Sequence, residues 1–217
     1  MIIDLNLQDK KIIIIGGGKE AQKRINSILK QGCDITVISD TVNSQINKLI
    51  KTKKIKLIKQ EITDTKFISK LKPDMIITTT NDKKINQKII NDAKREKIIA
   101  YSSDNPEDSD FSNPSIIDFE NIVQIAIFTG GKSPIMSKKI KDRSEKIFKK
   151  IITKEDIAQI KIQKIARKIA KETIPTQEQR KECLRSIIND NEIDQLIKDG
   201  QMKKAEKRAS TISRNWK

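Results

Sequence analysis

Histidine is missing from this chain of 217 residues, and with it the usual general base near neutral pH and the commonest metal ligand. Any acid–base step must fall to Asp, Glu, Lys, Tyr or Cys. The two cysteines, Cys33 and Cys183, lie far apart without a CxxC partner, so neither a disulfide framework nor a thiolate metal site is indicated. A reducing compartment follows as the simplest expectation. Aromatic residues make up only 3%, and no zinc finger, helix-turn-helix spacing or aromatic RNP strand occurs, which argues against nucleic acid. The start lacks a basic segment followed by an apolar one, and no apolar run is long enough to span a bilayer, so the chain reads as cytoplasmic without membrane contact.

Charge, by contrast, is plentiful. Lys and Arg number 45 against 29 acidic residues, a formal net charge of +16. Such a field favours polyanionic partners. Because the basic residues are spread along the chain, the expected partner is a small molecule bearing many carboxylates. The length suffices for one α/β domain and a smaller one.

The run Lys11-Ile12-Ile13-Ile14-Ile15 is too short for a helix and uniformly apolar, as a parallel strand buried on both faces should be. It stops at Gly16-Gly17-Gly18. Helical spacing follows from Lys19 to Lys30, with Gly32 as the expected C′ glycine, and Ile35 to Ile38 makes a second strand. This is a βαβ unit. The alternation continues with helices near Ser44–Lys51, Asp64–Leu71 and Lys83–Glu96, and strands at Ile55–Ile58, Met75–Thr78 and Ile98–Ser102. It predicts a Rossmann-type doubly wound parallel sheet over residues 1–113. Two antiparallel strands, Ser115–Asp118 and Val123–Phe128, turn at Glu120-Asn121 and lead to a basic helix from Ile135 to Lys149, giving a small linking segment over 114–150. Residues 151–217 read as a helical domain, broken at Ile174-Pro175-Thr176 and at Gly200.

Gly16, Gly18 and Ala21 form G-x-G-x-x-A between a strand and a helix. Gly16 permits the tight turn, Gly18 lets a pyrophosphate approach the backbone, and Ala21 allows close helix–strand contact, with the anion on the helix N-terminus. The cofactor candidates are therefore Gly16, Gly17, Gly18, Lys19 and Ala21. Ser39 and Asp40 end the second strand, where an acid bonds ribose hydroxyls and repels a 2′-phosphate, favouring NAD over NADP. Asp40 could equally cap the next helix. Thr79, Thr80 and Asn81 follow a later strand at the ligand-binding edge and join the cofactor set, while Asp82 reads best as a helix cap. Thr129, Gly130, Gly131, Lys132 and Ser133 precede a helix and could bind a carboxylate, or form an ordinary glycine turn capped by Ser133. Lys138, Lys139, Lys141 and Arg143 either add positive potential there or make a solvated face.

Taken in order, the glycine triplet, Thr80-Asn81-Asp82 with Asn86, the loop from Asp104 to Phe111, Thr129–Pro134, and Pro175 to Arg180 resemble the siroheme-synthase type precorrin-2 dehydrogenase family along nearly the whole chain. The resemblance implies NAD-dependent oxidation of precorrin-2, an eight-carboxylate tetrapyrrole, to sirohydrochlorin. It also implies a homodimer built on the linking segment and a helical tail over the substrate cleft. Asp104, ahead of Pro106, takes the place of the family's essential aspartate, with a purely structural Asp-Asn-Pro turn as the other reading. No metal site is expected, although bifunctional relatives also insert ferrous iron, and a non-catalytic NAD-binding sensor stays open. The chain departs from the family at Tyr101-Ser102-Ser103, in place of Asn-Val-Val, and at Ser109, in place of Cys. These departures weigh on the substrate side.

Overall fold

The computed structural model describes residues 2–216. Contacts divide it into two compact units that meet in sequence between Asn113 and Pro114. The first carries strands β1 (Lys11–Ile15), β2 (Asp34–Ile38), β3 (Lys56–Ile58), β4 (Met75–Thr78) and β5 (Ile99–Ser102), interleaved with helices α1 (Lys19–Ile28), α2 (Ser44–Lys51), α3 (Lys66–Leu71) and α4 (Lys83–Arg95). Every pairing is parallel, in the order β3-β2-β1-β4-β5. This is the doubly wound sheet predicted from the alternation.

The isoleucine run explains why β1 is central. Ile12 and Ile14 enter one core with Ala21, Ile25 and Tyr101, while Ile13 and Ile15 enter the other with Ile76, Ile89 and Ile90. A strand whose two faces are both apolar has no solvent side, and each buried Ile contributes roughly 1.5–3 kcal/mol. Helix α1 stops at Ile28 with Leu29 as its cap, short of the expected C′ glycine. Gly32 instead takes a left-handed φ of +73° in the turn into β2, where its carbonyl accepts from Asp9 N–H at 3.0 Å.

Strand β5 lies at the sheet edge, and the loop after it closes that edge through Ser109, a departure from the family pattern, and Asp110, which keeps it. Ser102 N–H donates to Ser109 Oγ at 2.9 Å, Ala100 N–H donates to Asp110 Oδ2 at 2.8 Å, and Asp110 N–H returns a bond to Ala100 carbonyl at 2.8 Å. Backbone groups that a sixth strand would have taken are thus satisfied by two side chains.

The second unit holds the 114–150 segment together with the helices that follow it. An antiparallel hairpin of β6 (Ser115–Phe119) and β7 (Val123–Ile127) turns through Glu120 and Asn121, both left-handed, and α5 spans Pro134–Ile151. Four further helices follow: α6 (Lys154–Thr173), α7 (Gln177–Ile188), α8 (Asn191–Lys198) and α9 (Met202–Arg214). The breaks near Pro175 and at Gly200 fall as expected, but a third, at Asn189-Asp190, was not anticipated. There Asp190 caps α8 by accepting from Ile193 N–H at 2.9 Å and takes a forked bond from Arg208 of α9 at 2.8–3.0 Å. Among the described residues no helix is long and apolar enough to cross a membrane.

The Arg208 fork, working against partial burial, holds the Asp190 carboxyl below its ordinary value. A depressed carboxylate contributes stability that is complete above about pH 4 and is lost as the pH falls through the native value. Asp190→Asn should therefore lower the melting temperature at pH 7 and flatten its decline in acid. Asp190→Ala, which also removes the cap, should cost about 1–2 kcal/mol in denaturant unfolding at neutral pH.

Candidate functional site

The strand order reverses around β1, so the loops after β1, β2, β4 and β5 gather at the carboxyl edge of the sheet, where open α/β folds bind ligands. The glycine turn sits at its centre. Gly16 has φ +107°, and a side chain there would meet Thr79 Oγ1 at 2.6 Å. At Gly17 a Cβ would lie 2.0 Å from the Thr41 carbonyl oxygen and 2.8 Å from Val42 Cα. Gly18 differs: an added Cβ would meet nothing within 4 Å. Two glycines are thus forced by the protein itself, and the third faces open space.

The turn is braced from outside. Gly16 N–H donates to Ile38 carbonyl at 3.0 Å, Asn43 N–H donates to Gly17 carbonyl at 2.9 Å, and Asn43 Nδ2 donates to Gly18 carbonyl at 3.2 Å and to Gln22 Oε1 at 3.0 Å. Asn43 also caps α2, accepting from the amides of Gln45 and Ile46. It therefore fixes two loops at once. The sequence offered Asp40, not Asn43, as the cap of α2, and gave no sign of the hold on the glycine turn.

Helix α1 begins without a side-chain cap, and its first intrahelical bond runs from Gln22 N–H to Gly18 carbonyl at 3.1 Å. The amides of Lys19, Glu20 and Ala21 have no acceptor among the described residues, and Ala21 is fully buried against the sheet. Uncapped amides at a helix N-terminus beside an open glycine form an anion cradle. Glu20 in the first turn would oppose an anion were it not neutralised. Partial burial works against its ionised form, but the Lys23 hydrogen bond and the charge of Arg24 outweigh it, leaving the carboxyl below its ordinary value. Arg24 also lies over the Tyr101 ring, 4.9 Å from its centroid, and that ring stacks on Phe111 at 5.0 Å.

The other proposed cofactor residues divide. Ser39 is buried, with its hydroxyl donating to the Thr41 carbonyl, and Thr79 Oγ1 donates to the Ile15 carbonyl at 2.7 Å. Both hydroxyls serve the backbone. Asp40 is exposed, accepts from Thr41 N–H at 2.8 Å and does not cap α2, a task Asn43 performs. Asn81 is exposed, while Asp82 caps α4 through Lys84 and Ile85 amides.

Thr80 belongs to a second assembly, centred on Asp104. Asp104 Oδ1 accepts from Ser102 Oγ at 2.6 Å and from Asn86 Nδ2 at 2.9 Å. Ser102 Oγ shares a 2.9 Å bond with Thr78 Oγ1, Thr80 Oγ1 donates to Asn86 Oδ1 at 2.7 Å, and Asn86 Nδ2 also donates to Thr80 carbonyl. Thr78, Asn86 and Ser102 are all nearly fully buried, whereas Asp104 is exposed. Buried polar groups hold position only when partnered, so this connected chain fixes one carboxylate oxygen and leaves Oδ2 without a partner among the described residues. The adjacent Ser103 hydroxyl is buried and unpartnered, an atom a ligand could satisfy. The pairing of Ser102 with Thr78 was not legible in sequence, since the two meet only across β4 and β5.

In the second unit, Thr129 Oγ1 exchanges bonds with the Ser133 backbone and Ser133 Oγ accepts from Met136 N–H at 3.2 Å as the cap of α5. Gly130 and Gly131 are left-handed with open space at their Cβ positions, and Lys132 is exposed. Among the described residues no three of His, Cys, Asp and Glu group as a metal site.

A family described as "Putative NAD(P)-binding" matches residues 3–115, more than half of the chain. The chain belongs to this NAD(P)-binding family. Beyond the family, the chain is 28% identical over 199 residues to a siroheme synthase of Psychromonas ingrahamii, covering 92% of this chain and 40% of that protein. It is 29% identical over 199 residues to a Methanocaldococcus jannaschii protein named "Putative precorrin-2 dehydrogenase", covering 89% of this chain and 92% of that one. It therefore spans well under half of the siroheme synthases it matches, and nearly all of the shorter archaeal relative. The solved structure of SirC, a precorrin-2 dehydrogenase, superposes with a TM-score of 0.70 at 20% identity over 96% of this chain and 99% of that one, which shows the fold to be shared.

The glycine geometry separates folding from binding. Gly17→Ala forces a side chain into backbone and should lower stability by about 1–3 kcal/mol in denaturant unfolding. Gly18→Ala should melt within a degree or so of the parent while weakening NAD roughly ten-fold in calorimetric titration. Equal losses of stability in both variants would contradict this division.

Proposed function

We propose that the chain is an NAD-dependent precorrin-2 dehydrogenase, oxidising precorrin-2 to sirohydrochlorin. The observation that carries the reading is the pairing, on one sheet edge, of an uncapped glycine-turn helix with a carboxylate fixed through a buried hydroxyl chain. Full-length similarity to the archaeal relative supports the substrate. The open face of Gly18 and the amides of Lys19 to Ala21 suit a diphosphate, and Asp40 stands exposed at the end of β2, where a carboxylate bonds ribose hydroxyls and disfavours a 2′-phosphate. NAD, when bound, supplies the hydride acceptor.

The substrate loses two hydrogens, one leaving with its electron pair and one as a proton. The proton falls to Asp104, whose Oδ1 is held by Ser102 and Asn86 so that Oδ2 can receive it and pass it to water. With no histidine in the chain, a carboxylate is the natural base. Thr129 to Ser133, with Gly130, Gly131 and Lys132 between them, offer backbone donors and one cation for substrate carboxylates. The reading includes a homodimer through α5, where Met136, Ile140, Ile147 and Ile151 form an exposed apolar stripe on a helix that buries only Ser137. It also places the enzyme in the cytoplasm.

Anaerobic incubation of precorrin-2 with NAD should give NADH and sirohydrochlorin absorbance in equal amounts. Asp104→Ala should lower kcat by a factor on the order of a hundred or more while leaving NAD affinity within about two-fold. A chain that binds NAD but turns nothing over would be a sensor, and unchanged kcat in the variant would remove Asp104 from the reaction. Sedimentation should show a dimer that Ile140→Glu with Ile147→Glu converts to monomer; a monomeric parent at micromolar concentration would end the dimer proposal.

A further inference from the structure

The helical part of the second unit contains a groove of about 660 Å³ between α6 and α7. Its chemistry is one-sided. Lys164, Arg167 and Lys171 line it from one face of α6, at helical spacings of three and four, and Arg180 and Lys181 line it from α7. No carboxylate lines the groove, and none of these cations forms a salt bridge among the described residues, whereas Lys161 of α6, outside the groove, pairs with Glu120. Arg180 is held rather than mobile, since Nε donates to Ile174 carbonyl at 2.6 Å and Nη2 to Pro175 carbonyl at 2.9 Å. The uncharged lining mixes Ile160, 42% exposed, Ala170 and half-buried Leu184 with the amides Gln163 and Gln177.

Like charges gathered on facing helices repel, and an anion bound between them relieves that repulsion. The pattern of charge selects the anion further. A nucleic-acid strand needs stacking platforms, and no aromatic side chain lines the groove. Aliphatic side chains and two amides between cationic rims match a flat ring edged with carboxylates. We infer that the groove between α6 and α7 is a second binding site, for a polycarboxylate tetrapyrrole, built from residues of the second unit alone. The choice of ligand rests on the precorrin-2 reading; the anion site itself does not.

The test is a fluorescence titration of the full chain with uroporphyrin, which carries eight carboxylates, beside mesoporphyrin, which carries two. The triple variant Lys164→Gln, Arg167→Gln, Lys171→Gln alters only exposed positions, and circular dichroism checks that it folds. Uroporphyrin affinity should fall roughly ten-fold or more in the variant, weaken steeply with salt, and stay unchanged in Asp104→Ala. Mesoporphyrin should bind the parent more weakly than uroporphyrin. Parent-like uroporphyrin affinity in the triple variant would overturn the proposal, as would displacement of uroporphyrin by a single-stranded oligonucleotide at lower concentration. Loss of uroporphyrin binding in the triple variant, in a parent that does not oxidise precorrin-2, would keep the groove and reject the dehydrogenase reading. Turnover with uroporphyrin affinity unchanged in that variant would do the reverse.

Discussion

The approach of one backbone to another, Gly17 against Thr41 and Val42, is the constraint on which the nucleotide edge depends. With a Cβ position 2.0 Å from a carbonyl oxygen, no side chain fits, and the turn can then lie close enough for Asn43 to bond both Gly17 and Gly18 carbonyls. Those bonds occupy carbonyls and leave amides outward. Because the following helix has no side-chain cap, its first three N–H groups have no acceptor among the described residues and suit an anion.

At the neighbouring strands the same edge solves a different problem. Thr78 and Ser102 point into the interior from β4 and β5, where an unpaired hydroxyl costs about 1–3 kcal/mol, so each satisfies the other and Ser102 then donates outward to Asp104. Asn86, buried on α4, closes the network from the helix side. The result is a carboxylate on an exposed loop with the positional definition of a core residue. Strand β5 can carry it because Ser109 and Asp110 close the sheet edge beside it.

The sequence announced the features that depend on near neighbours. A short β-branched run stopped by a glycine triplet reads as a buried strand, and α2 and β4 begin and end as the periodicity required. Features built from distant residues stayed hidden. The hold of Asn43 on the turn spans 25 residues, the Thr78–Ser102 bond spans 24, and neither leaves a periodic trace. Gly32 was misread as a helix cap because a glycine after a helix usually is one; here it serves the turn into β2, three residues past the Leu29 cap. The break before α8 carries a local signal, the Asp190 cap on Ile193 N–H, that the continuous helical periodicity masked, while its Arg208 partner 18 residues away leaves no local trace. At the candidate site, the tight turn of the glycine triplet was legible from its motif, whereas the spent hydroxyls of Ser39 and Thr79 were not.

On the proposed reading, the glycine turn and Asp104 address one dinucleotide and one substrate from the same edge. A crystal structure with NAD bound should show the diphosphate on the amides of Lys19 to Ala21 and the nicotinamide ring beside the Asp104 carboxylate; a vacant turn, or a ring on the opposite side of the sheet from Asp104, would contradict this.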